Sequence, residues 1–372
     1  MTFQYDAVII GAGPAGAACA LTLQKRGANC CLIDKAVFPR HKTCAGLVTA
    51  KTMQLIRSLY PEDKVESLFC DSTSQIKLYR KTEELVKADL KKPVHLVDRT
   101  HFDNALVEEY KRIGGVMREG ERGYQINYAD NCITLSNGDV LSYDYLIFAD
   151  GALSNAHKQL NIDRRKLAFG IETYVPADLM KVNSVDLYFD YLKTGYVWAF
   201  PHGDTVCVGA ADQYNPKTDY KKLFSSILTD FGIRQVKLKY HGAFLPYGYV
   251  IPQDDLPDNT MLIGDAGGFT DPISGEGLYM AMKTGVTAAE SLNTSAPKQT
   301  YLNAVQPLVS IIKEGTKARD TFYSPLVHKL FFRKVKGNKK AVAFFFENMV
   351  EDYRYDYSGM PQLLRDYKNN RK

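Results

Sequence analysis

The first 35 residues alternate between buried-looking apolar runs and glycine-rich turns. Ala7 to Ile10 are apolar without alternation, which is typical of a short strand covered on both faces. A small-residue segment follows that has helical character to about Arg26 and stops at Gly27. Cys30 to Ile33 then form a second apolar run that ends at Asp34. This order predicts a strand, turn, helix and strand, as in a parallel α/β sheet.

Two later segments repeat the buried-strand pattern and end in an acid beside glycine. LSYDYLIFADGALSN, residues 141–155, predicts a strand that delivers Asp150-Gly151 to a loop and the start of a helix. Residues 259–285 predict a strand reaching Gly264-Asp265, then a loop rich in glycine and proline, and then a helix from about Gly277.

The region from about Phe169 to Tyr249 shows a different pattern, with short strands and hairpins rich in aromatic residues. In YVWAFPHGDTVCVG, residues 196–209, the alternation places Tyr196, Trp198 and Phe200 on one face of a strand. The segment 201–204 is predicted to turn the chain, with His202 as a turn residue. Three rings on one face are explained either by core packing or by the wall of an apolar pocket.

Composition changes this picture only modestly. With 372 residues, 45% hydrophobic and 24% charged, the chain suits two intertwined domains of a soluble globular protein. The formal net charge of +5 is too small to indicate a nucleic-acid partner, although it does not oppose contact with an anionic membrane. No apolar stretch reaches the length of a membrane-spanning helix, and the N-terminus lacks the basic lead-in of a secretory signal.

The seven cysteines are odd in number and lack the paired CxxC spacing of metal sites. We therefore expect reduced thiols, a cytoplasmic location and no metal.

The N-terminal GAGPAG sequence has the spacing of a dinucleotide-binding turn. Gly11 permits the tight turn, Gly13 lets a pyrophosphate approach the backbone, and Gly16 allows close packing of helix and strand. The helix N-terminus favours the phosphate charge, and Asp34 is placed to accept hydrogen bonds from ribose hydroxyls.

The two later acidic strand ends favour FAD over NAD. Asp150 and Asp265 suit the hydroxyl groups of a ribityl chain, while Gly275 and Gly277 leave room for a flavin ring against the backbone. The helix from about Gly277 aims its N-terminus at the electron-rich end of that ring.

At these motifs the chain resembles the FAD-dependent oxidoreductases of the p-hydroxybenzoate hydroxylase fold. Two further segments are similar to the geranylgeranyl reductases within that group. FPRHKTCAG, residues 38–46, resembles their PRxKxCGG loop beside the flavin ring, and residues 196–209 resemble their YxWxFP signature, which lines the isoprenoid cavity. Arg99 matches an arginine that precedes the helix at the domain crossover and contacts FAD.

The resemblance implies a Rossmann-type FAD-binding domain with an inserted antiparallel-sheet substrate domain. It implies a reductase that saturates carbon–carbon double bonds of an isoprenoid chain by hydride transfer from the N5 atom of reduced flavin. The expected substrate wall consists of Tyr196, Trp198, Phe200 and Pro201. The expected FAD-binding residues are Gly11, Gly13, Pro14, Ala15, Gly16, Asp34, Lys35, Arg40, Cys44, Ala45, Gly46, Arg99, Arg122, Asp150, Gly151, Gly264, Asp265, Pro272, Gly275, Gly277 and Leu278.

Three positions depart from the family pattern. Ala45 replaces the first glycine of CGG, His157 replaces an arginine after the Asp-Gly motif, and Ala210-Ala211 follows TVCVG where a second glycine is usual. These three changes do not alter the fold prediction. They affect the prediction of which substrate the protein uses.

The fold also hosts monooxygenases and halogenases, so the alternative is such an enzyme acting on a hydrophobic or aromatic small molecule. A flavin-dependent sensor without turnover is a third class. Since only the N-terminus carries GxGxxG, the electrons would come from NAD(P)H visiting transiently or from a carrier such as ferredoxin.

Cys44 is the candidate catalytic side chain in the loop near the ring. Arg40 and Lys42 would favour its reactive thiolate, or would instead face the FAD phosphates or solvent. The other interpretation of Cys44 is a small packing residue.

The predicted FAD-binding domain comprises residues 1–65, 95–165 and 255–295, and the substrate domain comprises 66–94 and 166–254. Residues 296–372 are predicted to be a C-terminal helical region, in which lysines and arginines interleave with phenylalanines. That pattern is explained either by an ordinary helix pair with a solvated basic face or by a helix resting on an anionic membrane.

Overall fold

The computed structural model describes residues 1–159, 162, 166–234 and 236–351, together with Gln362 and Arg365. The strands are β1 (Thr2–Ile10), β2 (Cys30–Asp34), β3 (Leu47–Val48), β4 (Asp71–Arg80), β5 (Glu83–Leu96), β6 (Val116–Glu119), β7 (Tyr124–Asn127), β8 (Cys132–Leu135), β9 (Val140–Phe148), β10 (Leu167–Pro176), β11 (Val185–Phe189), β12 (Tyr196–His202), β13 (Thr205–Gln213), β14 (His241–Pro246) and β15 (Thr260–Leu262). The helices are α1 (Pro14–Lys25), α2 (Ala50–Leu59), α3 (Arg99–Arg112), α4 (Asn155–Gln159), α5 (Tyr220–Asp230), α6 (Leu278–Ser291), α7 (Pro297–Phe322), α8 (Pro325–Val335) and α9 (Lys339–Phe345).

The first sheet has the strand order β6-β2-β1-β9-β8-β7, with β15 also paired to β9. Strands β6, β2, β1, β9 and β15 run parallel to their neighbours in this group. Both faces of β1 are buried: Ile9 packs with helices α1, α3, α6 and α7, whereas Val8 and Ile10 pack into a cluster on the opposite face. Burial on both faces explains the unbroken apolar run in β1.

The second sheet has the order β14-β10-β13-β12-β11-β4-β5-β3 and is antiparallel except where β11 pairs with β4. One face packs against α5, and the other packs against α8 and α9. Its strands come from the two segments 66–94 and 166–254, with β3 and the end of β5 added from flanking chain. The predicted fold class, a parallel FAD-binding sheet with an inserted antiparallel sheet and C-terminal helices, is confirmed.

The C-terminal helices serve both sheets. Helix α7 packs Tyr301, Val305 and Ile312 against the first sheet, whereas α8 packs Phe332 and Val335 against the second. Apart from Gln362 and Arg365, the part of the predicted C-terminal region beyond Glu351 lies outside the described residues. None of the helices in the described ranges is long and apolar enough to cross a membrane.

Candidate functional site: a cofactor cradle beside an aromatic strand

The predicted cofactor motifs meet at one edge of the first sheet. The last residue of β1, Ile10, pairs with Ile33 on one side and with Phe148 on the other, and Phe148 pairs in turn with Leu262. Because these strands are parallel, the turns that follow them leave the sheet at the same edge. Ligands of open α/β sheets bind at that carboxyl edge.

The glycines of the first turn have different physical roles. Gly11 has φ +105°, and a Cβ there would lie 2.5 Å from the Ala149 carbonyl oxygen. A Cβ on Gly16 would lie 1.8 Å from the Gly11 oxygen. At both Gly11 and Gly16, the protein's own backbone therefore leaves no room for a side chain. A Cβ on Gly13 would meet only the Arg40 Nη2 atom, at 3.6 Å. Gly13 therefore presents open backbone surface, which fits the approach of a pyrophosphate.

The N-terminus of α1 is available to a negatively charged group. Gly13 is its N-cap, Pro14 follows, and no side chain caps the helix. At the neighbouring strand end, Asp34 accepts hydrogen bonds from the Ala12 N–H at 2.7 Å and the Ala36 N–H at 2.8 Å. These bonds fix the Asp34 carboxylate against the glycine turn, at the position where a ribose would lie.

Lys35 and Arg122, also predicted to bind FAD, are both exposed at this end of the edge. Arg122 is brought there by its neighbour Glu121, whose N–H donates to the Asp34 carbonyl oxygen at 2.9 Å.

The second acidic motif is anchored to the helix that follows it, and the third is anchored to the loop that follows it. Asp150 accepts a hydrogen bond from the Asn155 N–H at the start of α4, at 2.8 Å, and burial raises the pKa of Asp150. A Cβ on Gly151 would meet nothing within 4 Å. Asp265 accepts from the Thr270 hydroxyl at 2.9 Å.

His157 is buried, and its Nε2 atom lies 2.7 Å from the Ala266 carbonyl oxygen. It therefore ties α4 to the loop after Gly264-Asp265.

The loop before α6 is held rigid from within. Asp271 is buried and accepts from the Ile273 and Ser274 N–H groups at 2.9 and 2.8 Å. Gly275 has φ +69°, and Gly277 is the N-cap of α6, again with no side-chain cap. The flanking residues Pro272 and Leu278 are buried. The loop thus presents backbone and an open helix N-terminus.

A buried ion pair fastens this loop to α2. Lys51 Nζ lies 2.7 Å from Glu276 Oε2, and the Thr49 hydroxyl donates to Glu276 Oε1 at 3.1 Å. Sequence analysis missed this pair, because the two residues are 225 positions apart and neither belongs to an apolar pattern.

The basic residues near the loop 38–46 share one carboxylate. Arg99 donates to Asp103 through Nε at 2.7 Å and Nη2 at 2.9 Å, and Arg40 Nη1 lies 2.9 Å from the same carboxylate. The resemblance places Arg99 directly before the crossover helix. In the structure, Arg99 is the first residue of that helix, α3, because Asp98 is its N-cap. Asp103, which sequence analysis missed, is buried and offsets the charge of both arginines.

Cys44 lies between these arginines and the second sheet. Its N–H donates to Glu172 Oε2 at 2.9 Å, and its Sγ atom accepts from the Gly46 N–H at 3.4 Å. Burial lowers the pKa of Arg99, but Asp103 and the Cys44 thiol raise it above its usual value. Cys44 is therefore next to a permanent cation.

Glu172 was also missed by sequence analysis. It is fully buried in β10, and the His41 Nε2 atom lies 3.5 Å from its Oε1 atom. A signal existed in the sequence, since Glu172 is an acid within an otherwise apolar strand, LAFGIETYV.

The structure corrects the interpretation of His202 as a turn residue. His202 is the last residue of β12 and is buried, and its Nε2 atom lies 3.1 Å from the Ala45 carbonyl oxygen. The turn itself is Gly203-Asp204. Burial lowers the pKa of His202, which favours the neutral imidazole.

The aromatic strand β12 reaches the loop before α6. The Tyr196 hydroxyl donates to the Ser274 carbonyl oxygen, and burial raises the pKa of Tyr196. The Tyr196 and Trp198 rings lie 6.3 Å apart between centroids. Trp198 is 7% exposed and Phe200 is 4% exposed, and both pack in the cluster that α8 covers. Pro201, the fourth expected wall residue, is buried but follows the alternation of Val197 and Ala199, so it lies on the opposite face of β12 from the three rings, where its partner Val206 packs.

The structure thus brings Tyr196 to the loop before α6, and it ties Cys44 and Ala45 to strands β10 and β12 of the second sheet. Trp198 and Phe200 continue from Tyr196 into an apolar cluster, while Val197 and Ala199 face the opposite side of the sheet. Trp198 and Phe200 are packed among protein side chains, as the core-packing interpretation expects, and the pocket-wall interpretation stays a prediction.

Comparison with known proteins identifies relatives over most of the chain. The profile of the FAD binding domain family matches residues 4–225. An uncharacterized protein of Methanosarcina barkeri is 32% identical, covering 78% of this chain and 75% of its own length. The geranylgeranyl diphosphate reductase of Rhodobacter capsulatus is 27% identical, covering 77% of this chain and 75% of its own length.

Among solved structures, a geranylgeranyl bacteriochlorophyll reductase-like protein from Thermoplasma acidophilum superposes with a TM-score of 0.78 at 16% identity, covering 99% of this chain and 100% of its own. The resemblance predicted from the motifs is confirmed by these similarities.

Proposed function

Since the chain belongs to the FAD-binding domain family and is an FAD-dependent oxidoreductase, we propose that it saturates carbon–carbon double bonds in an isoprenoid chain of the geranylgeranyl type. The proposal rests on the geometry at Tyr196. Its hydroxyl bonds the glycine loop before α6, so the aromatic face of β12 begins at the cofactor edge and continues into an apolar cluster. A hydrocarbon chain would have to enter between this face and α8, which covers Trp198 and Phe200, and would then present a double bond at the edge.

The residues of the edge suit FAD. The open surface at Gly13 and the uncapped N-terminus of α1 would receive the pyrophosphate, and Asp34 would accept ribose hydroxyl groups. Asp150 and Asp265 would line the ribityl chain, and Gly275 with the N-terminus of α6 would receive the ring. When reduced, the bound cofactor supplies the hydride that this chemistry requires.

Saturating a double bond also requires a proton, and we assign it to the Cys44 Sγ atom. The Arg99 guanidinium would pair with the sulfur once the proton has left. The Glu172 carboxylate fixes the loop by accepting the Cys44 N–H. The aromatic rings exclude water and bind a polyene without hydrogen bonds.

The domain division that we propose follows the two sheets. Residues 1–65, 95–165 and 255–295 bind FAD, and 66–94 with 166–254 bind the substrate. Support comes from the sheet membership of the strands, with the short strand β3 as the exception because it pairs with β5.

The decisive experiment is anaerobic turnover. The protein is loaded with FAD, reduced with dithionite and incubated with a geranylgeranyl lipid, and the product is analysed by mass spectrometry. We expect a gain of two hydrogen atoms per double bond. A product carrying an added oxygen atom, formed only in air, would identify a monooxygenase instead, and the absence of any product under both conditions would leave a flavin-binding protein without this activity.

Matched cysteine variants test the proton donor. Cys44→Ala should retain FAD and lose turnover, whereas Cys132→Ala, on β8 of the first sheet, should retain both. Equal turnover in the two variants would refute the role of Cys44.

A further inference from the structure

The outer surface of α8 combines exposed leucines with lysines and arginine. Leu326 is 70% exposed, Leu330 is 38% exposed and Val327 is 37% exposed. These residues are spaced i, i+1 and i+4, so they lie on the same side of the helix. Phe332 and Val335, on the opposite side, are buried against the second sheet. Helix α8 is therefore apolar on two sides, and the described residues cover only the inner one.

The charge around this helix is strongly positive. Between Thr321 and Phe346 the sequence has no Asp or Glu and has six basic residues, Lys329, Arg333, Lys334, Lys336, Lys339 and Lys340. All six are exposed. Their charge exceeds the formal net charge of +5 for the whole chain, so the rest of the chain is slightly negative.

Most of these charges are uncompensated by neighbouring acids. Lys336 pairs with Glu83 at 2.6 Å. Within the described residues, no ion pair involves the other five. On α8, Lys329 and Arg333 border the leucines along one edge, and Lys334 lies one turn after Leu330 on the same side of the helix.

We propose that the outer face of α8 docks on an anionic lipid bilayer, with Leu326, Val327 and Leu330 entering the interface and the surrounding cations contacting lipid phosphates. A short helix with an apolar centre and a cationic border is the pattern of interfacial helices. An acidic protein partner would also match the charge, but the leucines at the centre favour a lipid surface. This docking does not depend on the proposed function. One consequence does rest on that function: Phe332, on the inner side of α8, would bring the aromatic strand close to a substrate in the membrane.

The test is sedimentation of the full-length, FAD-loaded protein with vesicles of phosphatidylcholine, with and without phosphatidylglycerol. These vesicles contain no isoprenoid, so the measurement is independent of turnover. We expect binding to the anionic vesicles only, weakening as salt is added.

Two variants separate the apolar and charged contributions. Leu326→Gln/Leu330→Gln leaves the charge unchanged and should lower the vesicle partition coefficient about tenfold. Lys329→Gln/Lys334→Gln should lower it about fivefold for each charge removed. The matched controls, Leu179→Gln at another exposed leucine and Lys221→Gln/Lys222→Gln on α5, should bind like the unchanged protein.

Flavin content and circular dichroism verify that each variant is folded. No sedimentation with anionic vesicles would overturn the proposal. Sedimentation that falls with the lysine variant but not with the leucine variant would also overturn it, because the leucines would then not enter the interface.

Discussion

At the scale of single residues, Gly13 and Gly16 belong to the same turn but face different surroundings. Gly13 has extended backbone, with φ −70° and ψ −179°, and the space above it is open except for Arg40. Gly16 faces the Gly11 carbonyl oxygen. A methyl group at Gly13 therefore blocks only a ligand, whereas a methyl group at Gly16 also disturbs the fold.

We expect Gly13→Ala to abolish FAD retention while changing the free energy of unfolding of the apoprotein by less than about 0.5 kcal/mol. Gly16→Ala should lose FAD and also cost roughly 1–3 kcal/mol from the forced contact. This loss would appear although alanine is favoured over glycine within a helix by about 1 kcal/mol. Flavin absorbance per protein and denaturant unfolding of the apoproteins measure the two effects. Normal FAD binding by Gly13→Ala would show that the pyrophosphate does not bind at this turn.

Residue positions that depend on local spacing could be predicted from the sequence, and contacts between residues far apart in the chain could not. The Gly11 turn and Asp34 lie within one strand–helix–strand unit, so the local pattern specifies their positions. By contrast, Cys44 and Glu172 are 128 positions apart, and Ala45 and His202 are 157 apart. Only the pairing of the sheets brings such residues together.

At the scale of elements, the hairpin β12–β13 contains a close steric contact between a tryptophan and a glycine. Trp198 pairs with Gly209 across the hairpin, and a Cβ on Gly209 would lie 2.1 Å from the Cζ2 atom of the indole. The indole thus occupies space that only glycine leaves free. This explains the glycine of TVCVG through packing against the tryptophan.

We expect Gly209→Ala to cost roughly 1–3 kcal/mol of stability by displacing the indole, and Trp198→Ala to cost about 3–5 kcal/mol, as for a buried tryptophan. In the Trp198→Ala background, the added methyl group has room, so Gly209→Ala should cost much less than in the unchanged protein. Denaturant unfolding of the double-mutant cycle measures this coupling.

Gly170→Ala provides the control in the neighbouring strand β10, since its Cβ would make ordinary contacts at 3.8 Å or more. Additive effects of the Trp198 and Gly209 changes would contradict the steric dependence.

The elements themselves were predictable where one pattern dominates. The strands β1, β2, β9 and β12 were predicted from their apolar or alternating sequences. The C-terminal helices were predicted as one region, but α7 packs on the first sheet and α8 on the second. Amphipathic sequences indicate that a helix buries one face, and they do not specify which surface covers it.

At the scale of the whole molecule, the two sheets meet at the loop 38–46. Its Cys44 N–H bonds Glu172 of β10, its Ala45 carbonyl faces His202 of β12, and its Gly46 carbonyl accepts from the Val97 N–H after β5. The loop beside the cofactor edge is therefore fixed mainly by the substrate-side sheet. A substitution in the second sheet should therefore shift the loop 38–46 at the cofactor edge, because these hydrogen bonds connect the loop to that sheet.

His202 makes this connection sensitive to pH. Burial lowers the pKa of His202 by more than the nearby Asp98 and Glu172 raise it, so its folded-state pKa lies below the unfolded value of about 6.5. Below the unfolded value, the unfolded chain binds a proton that the folded protein resists. The contribution of His202 to stability is thus fully present above about pH 6.5 and is lost as the pH falls through that value toward the folded-state pKa, by at most about 1.4 kcal/mol per pH unit.

We therefore expect the difference in unfolding free energy between the unchanged protein and His202→Gln to shrink between about pH 7.5 and about pH 5.5. Glutamine keeps an N–H donor for the Ala45 carbonyl but does not titrate. His101→Gln is the matched control, because His101 is exposed on α3 and its Nε2 atom also lies 3.0 Å from a backbone carbonyl, that of Ser67. Denaturant unfolding at a series of pH values gives both differences. The difference in unfolding free energy between the unchanged protein and His202→Gln could instead stay constant with pH while both proteins retain FAD. In that case, burial of a neutral imidazole at His202 does not link the second sheet to the cofactor loop.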